Sequence, residues 1–183
     1  MSAVQKKENN FHADLKFSDS VSESMDQYYL SALPGAERVE TVTDLELQRK
    51  GIDKLVHLWD GKVVKIEEKI RRKAWPDVLL ELQSRGKKLG WLFTCQADYI
   101  TYVYLESREL YFIPVVLLQM AWVQNKDDWI RRYDYVEAGN VTLGGYVSKS
   151  IPVPRERLLE DLSRAMTGVV PVQIAKTKKE LAY

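Results

Sequence analysis

The chain predicts an α/β (α+β) domain built on a mixed central β-sheet of about four or more strands flanked by helices, on three observations. β-Favouring runs occupy 54–59, 62–69, 78–83, 99–105 and 110–113; apolar residues recur at helical spacing around 21–32, 115–132 and 155–166; short connections interleave the two kinds of segment. With 183 residues, 45% of them hydrophobic, the chain can bury one core of ordinary size and fold alone. It contains no run of eighteen apolar residues and its first ten residues lack the apolar stretch of a secretory signal, so a cytoplasmic protein with no membrane span is expected. A single cysteine, Cys95, rules out an internal disulfide, and with only His12 and His57 beside it there is no Cys/His zinc set. A hard, oxygen-seeking cation is the remaining metal option.

Residues 1–18 are polar and aperiodic and read as a flexible arm, 19–168 as the single domain, and 169–183 as a C-terminal tail. Val21, Met25, Tyr28, Tyr29 and Ala32 lie at helical spacing after Ser18-Asp19-Ser20, and Pro34-Gly35 ends that helix. Thr43-Asp44-Leu45-Glu46 has the capping-box pattern of a second short helix that Gly51 stops. A hairpin follows, its strands joined at Asp60-Gly61. Pro76 interrupts the chain, and residues 78–83 read as a third strand of the same sheet. Residues 84–90 form a basic loop, 99–105 and 110–113 a second hairpin. Pro114 opens a helix through Leu117, Met120 and Ala121 that breaks near Asn125 and resumes to Arg132, with Trp122 and Trp129 packed. Short strands are expected in 133–153, and Pro154 opens a last amphipathic helix that Gly168 closes.

The first hairpin carries the chemistry. Side chains alternate along a strand, so Glu67 and Lys69 share one face while Val64, Ile66 and Glu68 take the other. If Asp53 reaches that face from the paired strand, two carboxylates and an ammonium converge, the set that Mg²⁺-dependent phosphodiester cleavage requires. Charge is uneven around it: residues 1–61 hold 7 basic and 11 acidic side chains, residues 62–91 hold 9 and 4, and the rest 11 and 11. The net +1 of the whole chain therefore hides a basic segment around the hairpin.

Gln48-x-x-Gly51-Ile52-Asp53, thirteen further residues and then Glu67-Glu68-Lys69 resemble the PD-(D/E)XK nuclease superfamily. With Gly90-Trp91 ahead of Ala97-Asp98-Tyr99, the pattern over about residues 43–120 is similar to small phage or prophage nucleases of that group. The resemblance implies a restriction-endonuclease-like fold and a Mg²⁺- or Mn²⁺-dependent deoxyribonuclease, endonuclease or exonuclease. It makes Asp53 and Glu67 the metal ligands and Lys69 the cation beside the attacking water. DNA is the implied partner, a homodimer would suit cutting of both strands, and a phage-encoded protein would act in the host cytoplasm. Glu46, Gln48, Glu81 and Gln83 are further candidates, each with a structural alternative: a cap for Glu46, a solvated helix face for Gln48, cross-strand pairing for Glu81 and Gln83. Glu67 is preferred to Glu68 on parity. Asp98 reads as a strand-start residue bonded to backbone amides, His57 as a packing residue, and Pro76-Asp77 as a decoy, since it comes after Glu-x-Lys and Asp77-x-x-x-Glu81-x-Gln83 leaves too few residues for two strands and a turn. Arg71, Arg72 and Lys73, with Arg85, Lys87 and Lys88, are the candidate phosphate contacts, interleaved with Trp75 and Trp91. The alternative reading is a non-catalytic nucleic-acid- or protein-binding phage accessory protein of the same fold.

Overall fold

A computed structural model describes residues 7–8, 21, 25–84, 88–140 and 146–167. The class is α+β, with two sheets flanked by helices where a single sheet was expected. One sheet runs β2-β3-β4-β7-β8, from strands β2 (Ala36–Thr41), β3 (Lys54–Leu58), β4 (Val63–Arg71), β7 (Tyr99–Tyr104) and β8 (Glu109–Pro114). It is antiparallel except where β7 joins β4 in parallel. The other runs β1-β9-β10-β5-β6, from β1 (Lys7–Glu8), β9 (Val136–Asn140), β10 (Tyr146–Pro154), β5 (Asp77–Ser84) and β6 (Lys88–Leu89).

Residues 78–83 are therefore a strand, but of the second sheet. β5 pairs along its length with β10, some seventy residues on, instead of with the first hairpin. On its other edge, among the described residues, only Gln83 and Ser84 have a strand partner. The first sheet covers the rest: Tyr102 and Tyr104 of β7 donate their hydroxyls to the carbonyls of Leu79 (2.6 Å) and Asp77 (2.5 Å). An uncovered edge would invite pairing with another chain, and here side chains satisfy it.

Parity sorts the first sheet's two faces. Helix α1, over 25–32, lies on the side of the even-numbered residues of β3 and β4, which the register of β7 matches with its odd-numbered ones, and there Met25 and Tyr29 pack with Val56, Ile66 and Val103. There the fully buried Lys54 donates to Asp26 of α1 (2.6 Å) and to Thr41 (2.8 Å). The opposite face contributes Ile100, Tyr102 and Tyr104 to the larger core, together with Val78, Leu80 and Leu82 of β5 and helices α4 (Val115–Arg132) and α5 (Arg155–Thr167).

Several local expectations change. β2 has no apolar alternation, since Glu37, Arg38, Glu40 and Thr41 are exposed, so propensity did not mark it. Helix α2 (Leu45–Arg49) is capped by Asp44, whose Oδ1 accepts from the amides of Glu46 (2.7 Å) and Leu47 (3.3 Å), in place of Thr43 and a returning Glu46. α4 continues through Asn125, whose side chain donates back to the Ala121 carbonyl (2.9 Å). The expected basic loop contains β6 and is followed by the one-turn helix α3 (Trp91–Thr94). Within the expected N-terminal arm, Lys7 and Glu8 pair in parallel with Ala138 and Gly139; the rest of the arm, the Ser18–Ser20 cap, Gly168 and the tail lie outside the described residues.

Candidate functional site

The register of the first hairpin sets Lys54 against Ile66, which places Asp53 opposite Glu67. Two backbone hydrogen bonds fix Asp53 there: its N–H donates to the Ile66 carbonyl (2.8 Å) and its carbonyl accepts from the Val42 N–H (2.8 Å). Its Oδ2 accepts from the Glu68 amide (2.8 Å), orienting the carboxylate across the strand pair towards Glu67. Glu67 and Asp53 carboxyls are in side-chain contact, and Lys69 donates an ion-paired hydrogen bond to Glu67 Oε1. The structure thus brings Asp53, Glu67 and Lys69 together, on the face that also carries Ile100, Tyr102 and Tyr104 of β7 and looks towards the second sheet.

Enclosure between the sheets explains the electrostatics. Glu67 is 5% exposed, and burial, reinforced by the neighbouring Asp53 charge, pushes its carboxyl up to about 7 despite Lys69. For Lys69 burial works the other way, but Glu67 and Asp53 outweigh it and raise the ammonium above its ordinary range. Lys69 Nζ lies 5.7 Å from the centre of the Trp91 ring, which in turn leans on Tyr102 (6.4 Å between rings).

The floor of the site is made by Gly51 and Cys95. Gly51 has φ +70°, and a β-carbon there would come within 3.1 Å of Cys95 Sγ and 3.2 Å of Glu67 Oε2, so both conformation and space call for glycine. The Cys95 thiol donates to the Gly51 carbonyl (3.5 Å), and burial, with Glu67 and Asp53 nearby, pushes it up to about 11, which keeps it protonated and unreactive. Gly51 lay in the quoted sequence pattern; Cys95 and Tyr102 carried no sequence signal for a place here, because both arrive from beyond β5.

The remaining candidates divide. Glu81 is half-buried and faces the site: burial raises its carboxyl, while the Lys69 charge, the Trp91 amide and the Ser84 hydroxyl oppose that shift. Gln83 is exposed two residues further along β5. Glu46 is not in the site: its carboxylate pairs with Arg49 (2.5 Å) at the surface. Gln48 serves the backbone, donating to the Val42 carbonyl (2.9 Å) and so anchoring α2 beside Asp53. Glu68 points away, accepting from Tyr29 (2.8 Å). Asp98 accepts from the Lys65 amide (2.8 Å), as expected of a strand-start residue, whereas His57 pairs with Glu40 (3.2 Å) rather than packing in a core. Asp77, the decoy, holds Arg71 (3.1 Å).

Arg71 is 18% exposed and bound by that contact, with its guanidinium 5.8 Å from the Tyr102 ring, so it joins the sheets instead of facing solvent. Arg72, Lys73 and Lys88 are exposed; Arg85 and Lys87 lie outside the described residues.

Among the described residues no group of three or more His, Cys, Asp and Glu side chains stands ready for a metal ion. Two carboxylates in contact are nevertheless a donor set suited to Mg²⁺, which is usually held by one or two carboxylates and keeps several waters. No family model, curated protein or solved structure matches this chain.

Proposed function

We propose that the chain is a Mg²⁺- or Mn²⁺-dependent deoxyribonuclease that hydrolyses DNA phosphodiester bonds at Asp53, Glu67 and Lys69, and that it works in the cytoplasm. The observation that carries this reading is the cross-strand opposition of Asp53 and Glu67 with Lys69 on the same face. Two carboxylates held together in an enclosed site repel one another, and a divalent cation would relieve that repulsion. When bound, the cation supplies Lewis acidity and neutralises charge growing on the scissile phosphate.

The chain's own residues do the rest. Asp53, held by three backbone hydrogen bonds, and Glu67, held by the strand pair, fix the ligand geometry before substrate arrives. Lys69 stays charged and supplies a cation that orients the attacking water or stabilises the transition state. Trp91 and Tyr102 wall the site beside it.

The test is incubation of purified protein with linear, circular, single-stranded and branched DNA in Mg²⁺ or Mn²⁺, beside Lys69→Ala and Asp53→Asn. Cleavage by the wild type and a loss of roughly 10²-fold or more in each folded variant is the expected result. Cleavage surviving in both variants would place the chemistry elsewhere.

A further inference from the structure

We propose, resting on the reading above, that Lys69 is a built-in counter-ion: it fills the cation seat of Asp53 and Glu67 in the metal-free chain, and a divalent ion seats there by displacing it towards Glu81. Three placements support this. Lys69 is ion-paired with Glu67, the carboxylate that also contacts Asp53, so its ammonium already neutralises the oxygens a metal would need. Glu67 has little access to water that could take over that task. Glu81 is the neighbouring carboxylate: the Trp91 ring lies beside the Lys69 ammonium, the Trp91 amide donates to Glu81, and Glu81 already feels the Lys69 charge.

An ammonium hydrogen-bonded to Glu67 and a divalent ion bound by Glu67 compete for the same oxygens, and as like charges they repel. Lys69 therefore lowers metal affinity twice, by occupying the seat in the free protein and by crowding the ion in the loaded one. The second carboxylate moderates the penalty by receiving the displaced ammonium. A lysine that met only the attacking water or the phosphate would lower metal affinity by repulsion alone and would not move from Glu67 as the ion binds. The exchange gives the site a threshold, closed by its own lysine until the cation is abundant enough to release that lysine for chemistry.

Calorimetric titration with Ca²⁺ in the absence of DNA reads the exchange directly. Lys69→Met and Lys69→Gln should each bind Ca²⁺ roughly tenfold tighter or more than the wild type, and Glu81→Gln several-fold more weakly. Two neutral replacements guard against one failing to fold. A mutation-free arm uses the wild type with ¹³C-methylated lysines: the Lys69 signal should shift along the same Ca²⁺ saturation curve. Unchanged or weaker affinity in the folded Lys69 variants overturns the exchange and leaves the metal site standing, and an unchanged Glu81→Gln removes Glu81 as the receiving group. No Ca²⁺ uptake by any of these proteins, with none of Mn²⁺ in a parallel titration, overturns the exchange and the metal-site reading together.

Discussion

Glu67 sits under two opposed demands, a buried environment that favours the neutral acid and a lysine that favours the anion. The pH dependence that follows has a definite sign. A carboxyl raised from 4.5 in the unfolded chain to about 7 in the fold holds its proton longer when folded. Its contribution to stability is therefore present below about 4.5 and lost as pH rises through 7, by at most about 3 kcal/mol. Glu40, Asp60, Glu109 and Asp128 are shifted the other way, each mainly by a side-chain hydrogen bond, so their stabilisation is lost only as pH falls through the acid range. Melting temperatures in EDTA should accordingly fall for the wild type between pH 5 and 8, and this slope should be much reduced in Glu67→Gln. An identical slope in the variant would mean that Glu67 does not titrate in that window. Strand parity in the sequence was enough to separate Glu67 from Glu68, because a period of two admits no compromise. The roles of Glu46 and Gln48 were not legible, since helix α2 turns both towards local partners, Arg49 and the Val42 carbonyl.

At the scale of elements, polar groups decide how helices and strands meet. Asp161 of α5 is fully buried and accepts from the Trp129 indole of α4 (2.8 Å), from Arg157 (2.6 Å) and from Arg164 (2.6 Å). Arg157 also reaches Asp128 of α4 (3.2 Å), so one carboxylate and one guanidinium bind the two helices together. Asp161→Ala strands a buried indole N–H and a partly buried guanidinium, and should cost about 3 kcal/mol in denaturant unfolding. Asp161→Asn, which keeps acceptor capacity, should cost less. Helical spacing predicted both helices and the packing of Trp129, but the partner of the indole lies thirty-two residues away, on the other helix. β5 teaches the same lesson. Its residues read as a strand on propensity, yet its hydrogen bonds run to β10 and its spare carbonyls to Tyr102 and Tyr104. Gly90 shows how closely such elements meet, for a β-carbon there would lie 2.1 Å from the Glu81 carbonyl oxygen.

Over the whole molecule, the two sheets create an enclosed face on which the acids and lysine gather, and the described residues include no helix long and apolar enough to cross a membrane. The basic segment splits by position. Arg71 links the sheets through Asp77, while Arg72 and Lys73 are turned outward. For DNA binding measured in EDTA by fluorescence anisotropy, replacing Arg72 and Lys73 by Ala should weaken affinity and reduce the salt slope by about 2. Arg71→Ala should lower the melting temperature and leave the slope largely intact. Equal slopes for all three proteins would remove the segment from the DNA contact. The sequence by itself determined the α+β class, the hairpin, and the common face of Glu67 and Lys69, since these follow from local period, whereas the structure's register set Asp53 opposite Glu67. Only the tertiary structure decided that there are two sheets, that Glu67 is enclosed between them, and that Trp91, Cys95, Tyr102 and Glu81 surround it. Those outcomes depend on pairings between segments far apart in the chain, which no local pattern of side chains encodes.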